Sequence, residues 1–137
     1  MARLARILAL FLALFAAPSA AQAAEGAASA PQVVRIRPLM VPSVHHGQIE
    51  KYVAYEVTLE LADPGKLAAA QALIPRLHDA AMAAFYEGIE EGWIVRASII
   101  NGQALRKRLD EMCERLIGKG VVGRVLISPS ARSASAP

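Results

Sequence analysis

Three observations predict an α/β fold of the α+β kind, in which two main helices pack on one face of a small mixed or antiparallel sheet. Residues 53–61 alternate apolar and polar side chains over a long run. Residues 67–85 and 105–117 repeat apolar side chains every three or four positions. A β-rich run, residues 121–128, follows the second of these stretches. Strands flanking two helical patterns favour helices gathered on one side of the sheet.

The first strand is expected over residues 33–41 (VVRIRPLMV). Pro38 marks it as an edge strand, a bulge or a strand end, because proline donates nothing to a ladder. Residues 42–48 combine proline, serine, two histidines and glycine, and read as a loop. In the next run Val53, Tyr55, Val57, Leu59 and Leu61 share one face and Glu56, Thr58 and Glu60 the other, the pattern of a half-buried strand. The two runs together predict an antiparallel hairpin. Asp63-Pro64-Gly65 stops the second strand and supplies an N-cap for a helix marked by Leu67, Ala70, Ile74, Leu77, Ala81 and Phe85. Pro75 predicts a kink or a break, since it lacks an amide proton and disfavours helical geometry at the residue before it. Residues 88–92 (GIEEG) are expected as a polar connection, and residues 93–100 (WIVRASII) as a short β-like run. Asn101 is a suitable N-cap for a second helix with an apolar stripe of Leu105, Leu109, Met112, Cys113, Leu116 and Ile117. Gly118 and Gly120 end that helix, and the last strand is closed by Pro129.

The composition divides unevenly along the chain. Over all 137 residues it is 55% hydrophobic, with a mean hydropathy of +0.34 and an isoelectric point near 9.4. The excess lies in the first two dozen positions. Residues 1–6 carry Arg3 and Arg6, residues 7–17 are apolar, Pro18 and Ser19 break the run, and Ala21-Gln22-Ala23 forms a small-x-small site. This is the three-part pattern of a secretory signal peptide, cleaved after Ala23. The apolar run is shorter than the about 20 residues that cross a hydrocarbon core. The competing reading is an uncleaved anchor over residues 4–21 that spans by tilting. Without residues 1–23 the formal charge falls from +3 to +1, thirteen basic side chains against twelve acidic ones. That balance gives no electrostatic case for a nucleic-acid partner. Residues 24–32 are expected as a flexible linker, 33–129 as the folded domain and 130–137 as a disordered tail, because both flanking segments are too poor in apolar side chains to offset ordering entropy.

Few residues point to chemistry. Residues 118–123 (GKGVVG) match the string of a dinucleotide loop, but they follow a helix and precede a strand, so a phosphate would meet the wrong helix pole. His45 and His46 form an adjacent pair without the spacing of a metal site, and His78 reads as a helix-flank residue. Cys113 falls on an apolar stripe and reads as a buried structural thiol. Glu87, Glu90 and Glu91 lack the oxygen spacing of a calcium loop and read as a solvated bend. No catalytic, metal-binding or cofactor-binding residue is assigned. Arg106, Lys107 and Arg108 are the compact basic cluster, spread over about 200° of helix arc; the default reading is a solvated face, and the sharper one is a contact with an acidic partner or anionic headgroups. Trp93, the only tryptophan, is a core residue or an interface anchor.

Residues 38–42, the long strand over 52–61, the Ile74-Pro75-Arg76-Leu77-His78-Asp79-Ala80 run and the closing 106–127 stretch, taken in order, resemble the periplasmic domain of the flagellar basal body-associated FliL-like family. The resemblance spans nearly all of residues 33–129. It implies a stomatin/SPFH-like α/β domain, usually on a single membrane anchor, that associates with the flagellar stator near the basal body, supports motility and self-assembles. It implies no cofactor and no catalytic residues. This chain departs from the family pattern in its cleavable N-terminus and in its Ser/Ala/Pro-rich tail. The expected function is therefore a non-enzymatic exported interaction protein in the periplasm, a flagellar accessory factor with protein partners and the capacity to form homo-oligomers, in contact with the inner membrane where the anchor is retained. The alternative is a periplasmic domain that binds a small ligand or metal through His45 and His46 and has no part in motility.

Overall fold

The computed structural model describes residues 30–130. The expected signal peptide at 1–23, most of the expected linker and the tail from residue 131 onward lie outside the described residues. What is described is an α+β domain: a three-stranded antiparallel sheet, a separate two-stranded hairpin and three α-helices.

β1 (Gln32–His45) and β2 (Gln48–Leu61) form a hairpin longer than the sequence suggests. Residues 42–48 are not a loop, because the ladder runs on through Pro42↔Tyr52 and Ser43↔Lys51 to His45↔Gln48. The turn itself is only His46 and Gly47, with φ of 49° and 77°. Left-handed geometry at both central residues matches the right-handed twist of the flanking strands. Pro42 is tolerated within the ladder because β1 is an edge strand, whose outward side has no partner among the described residues.

Pro38 lies at a register shift between Ile36 and Leu39. The apolar pattern of β1 changes phase there, from even positions (Val34, Ile36) to odd ones (Leu39, Val41). An extra residue at a bulge reverses which face a given parity meets. All four side chains consequently point inward and are at most 4% exposed. The edge position and the bulge expected from Pro38 are both found.

In β2, Tyr55, Val57, Leu59 and Leu61 are buried on the inner face as the alternation predicts. Asp63 accepts the Gly65 amide proton at 2.9 Å and caps a short 3-10 turn, Pro64–Lys66, which leads into α1 (Leu67–Ala72). The expected break falls at Leu73, whose φ of −96° and ψ of 4° leave helical geometry before α2 (Ile74–Glu90) begins. Pro75 sits in the first turn of α2, where its missing amide proton would have had no intrahelical acceptor.

Residues 88–92 are not a polar connection throughout. α2 continues to Glu90, with Gly88 buried inside it, and the chain turns at Gly92 with φ of 75°. A Cβ on Gly88 would lie 3.2 and 3.3 Å from the Ile94 side chain. Glycine here permits a close approach between α2 and β3; an added Cβ would require the Ile94 side chain to yield by a few tenths of an ångström. The β-like run at 93–100 folds back on itself as β3 (Ile94–Val95) and β4 (Ser98–Ile99), paired through Ile94↔Ile99 and Val95↔Ser98. Its turn puts Arg96 and Ala97 at φ of 50° and 57°, a conformation unfavourable for non-glycine residues. The buried Tyr55 hydroxyl donates to the Ala97 carbonyl and holds this turn against the sheet. Burial also raises the Tyr55 pKa, so the phenol stays protonated and able to donate.

Asn101 caps α3 (Gly102–Ile117) by accepting the Ala104 amide proton at 3.1 Å. The helix ends at Gly118, and β5 (Val122–Pro129) adds antiparallel to β2, giving the strand order β1-β2-β5. Ser130, expected as the first tail residue, extends this ladder by donating its amide proton to the Ala54 carbonyl at 2.7 Å. α2 packs over β1 and α3 over β5. Phe85, Leu77, Ile94 and Leu105 fill the space beneath them against Leu39 and Leu59.

Tyr55→Phe leaves the Ala97 carbonyl without its buried donor and is expected to destabilise the domain by about 1–2 kcal/mol in urea unfolding. Gly88→Val should lower stability by about 1–3 kcal/mol in the same measurement, because the new side chain overlaps the fully packed Ile94. An unchanged midpoint in either variant would contradict the contact it tests.

Candidate interaction surface

Trp93 is positioned by backbone bonds. Its carbonyl accepts the amide protons of Ile100 at 2.7 Å and Asn101 at 3.1 Å, closing the β3–β4 hairpin directly onto the start of α3. The half-buried indole faces the end of α2 and the first turns of α3. There it shares a cavity of about 300 Å³ with Glu87, Ala104, Lys107, Arg108 and Glu111. Three of the four sequence-selected contact residues, Trp93, Lys107 and Arg108, therefore line one pocket. Arg106 does not join them; it is exposed elsewhere on α3 because successive helical residues diverge by about 100°.

Arg108 is engaged on both sides. Its Nε donates to Glu87 Oε2 at 2.7 Å, and a terminal nitrogen donates to Glu111 Oε2 at 3.4 Å. The hydrogen bond to Glu87 is the main reason its pKa is raised, outweighing the opposing effect of burial. The basic cluster thus does not act as three free cations. Lys107 lines the wall, where the two cations are matched by the two carboxylates, and Arg108 ties α3 to α2 through Glu87. From the sequence Glu87 reads as part of a solvated bend. The structure places it in the last turns of α2, and nothing local could reveal a partner 21 residues away.

A second cavity of about 350 Å³ lies between the same two helices, lined by Arg76, Asp79 and Ala80 of α2 and Met112, Arg115 and Leu116 of α3. As α2 numbers rise the facing α3 numbers fall, so the helices are antiparallel and both cavities lie along the groove between them. Sequence analysis did not single out Arg76 or Arg115. They lie 39 positions apart in the chain, and only helix pairing brings them together.

The residues weighed for chemistry are distributed otherwise. His45 Nδ1 lies 3.0 Å from Glu50 Oε1 at the tip of the β1–β2 hairpin, with the His45 and His46 rings 3.9 Å apart between centroids. Among the described residues no group of three or more His, Cys, Asp or Glu is arranged to hold a metal ion. His78 is 3.7 Å from Asp79. Gly118 and Gly120 stand at the C-terminal end of α3, with Gly123 in β5, the arrangement expected from the order of elements. Cys113 is buried, and desolvation, helped by Asp110, pushes its thiol up to about 11. No helix among the described residues is long and apolar enough to cross a membrane.

Compared with protein-family models, curated proteins and solved structures, the chain matches none of them.

Because burial keeps Cys113 protonated until the pH nears its raised pKa, a disulfide reagent at pH 8 should label the native domain far more slowly than the urea-unfolded chain. Equal rates would place the thiol at the surface.

Proposed function

We propose that this chain is a non-enzymatic exported interaction protein of the FliL-like kind, an accessory factor of the flagellar motor or basal body that holds a protein partner at the Trp93 pocket. The observation that carries the reading is the convergence of Trp93, Lys107 and Arg108 on one cavity built by α2, the β3–β4 hairpin and α3. Tryptophan and arginine lining a cavity are residue types enriched among those that dominate protein interfaces.

The charge pattern supports a protein partner over an anionic lipid surface. Lys107 and Arg108 are balanced by Glu87 and Glu111, and adsorption to acidic headgroups draws on several uncompensated cations. Export of the domain to the periplasm follows from the pattern in residues 1–23, which on cleavage leaves Ala24 as the new N-terminus. Retention of that segment would instead hold the domain at the inner membrane.

Deletion of the gene is expected to slow swimming in viscous medium, where motor load is high. Wild-type protein should restore speed and Trp93→Ala should not, while accumulating to the same level. Unchanged swimming in the deletion strain would reject the motility role, and full rescue by Trp93→Ala would reject the pocket as its seat.

A further inference from the structure

We infer that the α2–α3 groove is a docking track for an amphipathic helix of another protein, with acidic side chains at one end of that helix meeting Arg76 and Arg115. The inference rests on the interaction reading above and names the chemistry of the partner. The two cavities described are separate and both lie between α2 and α3, on helix faces other than those that send Leu77, Ala81 and Phe85 on α2 and Leu105, Leu109 and Cys113 on α3 into the core. Arg76 and Glu87, one at each cavity, stand about 16 Å apart along α2, the length of three turns of helix. Ala80, Met112 and Leu116 give it an apolar floor at one end, and Trp93 with Ala104 does so at the other.

The charges are arranged asymmetrically. At the Trp93 end the two carboxylates and two cations balance. At the far end Arg76 and Arg115 have no ion-pair partner among the described residues, and the one facing carboxylate, Asp79, lies beside His78. A groove with an apolar floor and two free guanidiniums at one end matches a helix that lays an apolar face along the floor and directs carboxylates to that end. Guanidinium groups suit such carboxylates because their planar donors bind both oxygens at once. A membrane surface fits less well, as the remainder of the groove is charge-balanced and concave.

The test uses the exported protein and a 14-residue peptide of leucine and alanine with three glutamates in its first turn, lacking tryptophan. Trp93, the only indole in the chain, reports occupancy through its emission, and a fluorescent label on the peptide reports it through anisotropy. Saturable binding is expected, weakened at least about tenfold in the Arg76→Glu/Arg115→Glu double variant and by raised salt, with a lysine-for-glutamate peptide binding far less. The exposed arginines should be replaceable without loss of fold, which circular dichroism checks. The proposal is overturned if the two peptides bind alike, if the double variant binds as well as wild type, or if the protein instead sediments with phosphatidylglycerol vesicles and ignores the peptide. If the double variant restores swimming to the deletion strain while Trp93→Ala does not, the groove fails and the interaction function stands. If deletion leaves swimming unchanged while the glutamate peptide still binds, the reverse holds.

Discussion

β2 is the strand on which both ladders of the sheet close, and its inward row of Tyr55, Val57, Leu59 and Leu61 is the surface that the helices cover. Each such side chain contributes roughly 1.5–3 kcal/mol by leaving water, so the row sets which face of β1 and β5 must also turn inward. β1 meets that demand only by inserting a bulge near Pro38, where its own apolar pattern changes phase. The bulge follows from the need to keep Val34 and Ile36 on the same side as Leu39 and Val41, and proline is tolerated there because β1 is the edge strand among the described residues.

The same strand reaches the candidate surface through one hydrogen bond. Tyr55 projects from β2 to the Ala97 carbonyl in the β3–β4 turn, where two non-glycine residues hold left-handed geometry. That turn is offset by the tie to the sheet and by the packing of Ile94 against Gly88. With the hairpin held on both sides, the Trp93 carbonyl can accept from Ile100 and Asn101, and the indole stands at the beginning of α3. A core contact and a surface pocket are thereby parts of one arrangement. Loosening Tyr55 or crowding Gly88 reaches the pocket as well as the stability of the domain.

Electrostatics across the two helices follow from the same placement. In the chain Arg106, Lys107 and Arg108 are one basic cluster, and three consecutive helical positions cannot share a face. Folding separates them: Arg106 stays in solvent, Lys107 lines the pocket, and Arg108 crosses to Glu87. Arg76 and Arg115, which form no ion pair among the described residues, lie outside that basic cluster in the sequence. Their significance depends on which helices are neighbours.

The alternation in residues 53–61, the Asp63 and Asn101 caps, the break near Pro75 and the glycines after α3 were all legible in the sequence, because each is decided by side chains within a few positions of one another. The loop assigned to residues 42–48 became strand because a two-residue turn with left-handed His46 and Gly47 lets pairing persist, a choice made by the partner strand rather than by local composition. Gly88 looked like the start of a connection, but its lack of a side chain serves a contact with Ile94 across the core. Ser130 looked like tail, yet the free length of β2 beyond Pro129 offered it a place in the ladder. The sequence by itself determined the α+β class, the inward face of β2 and the apolar stripes of the helices, since periodicity and capping are local. Only the tertiary structure decided that Trp93, Lys107, Arg108 and Glu87 share a pocket and that Arg76 faces Arg115 across a groove, because those contacts join positions up to 39 residues apart and exist only once α2 and α3 pack side by side over the sheet.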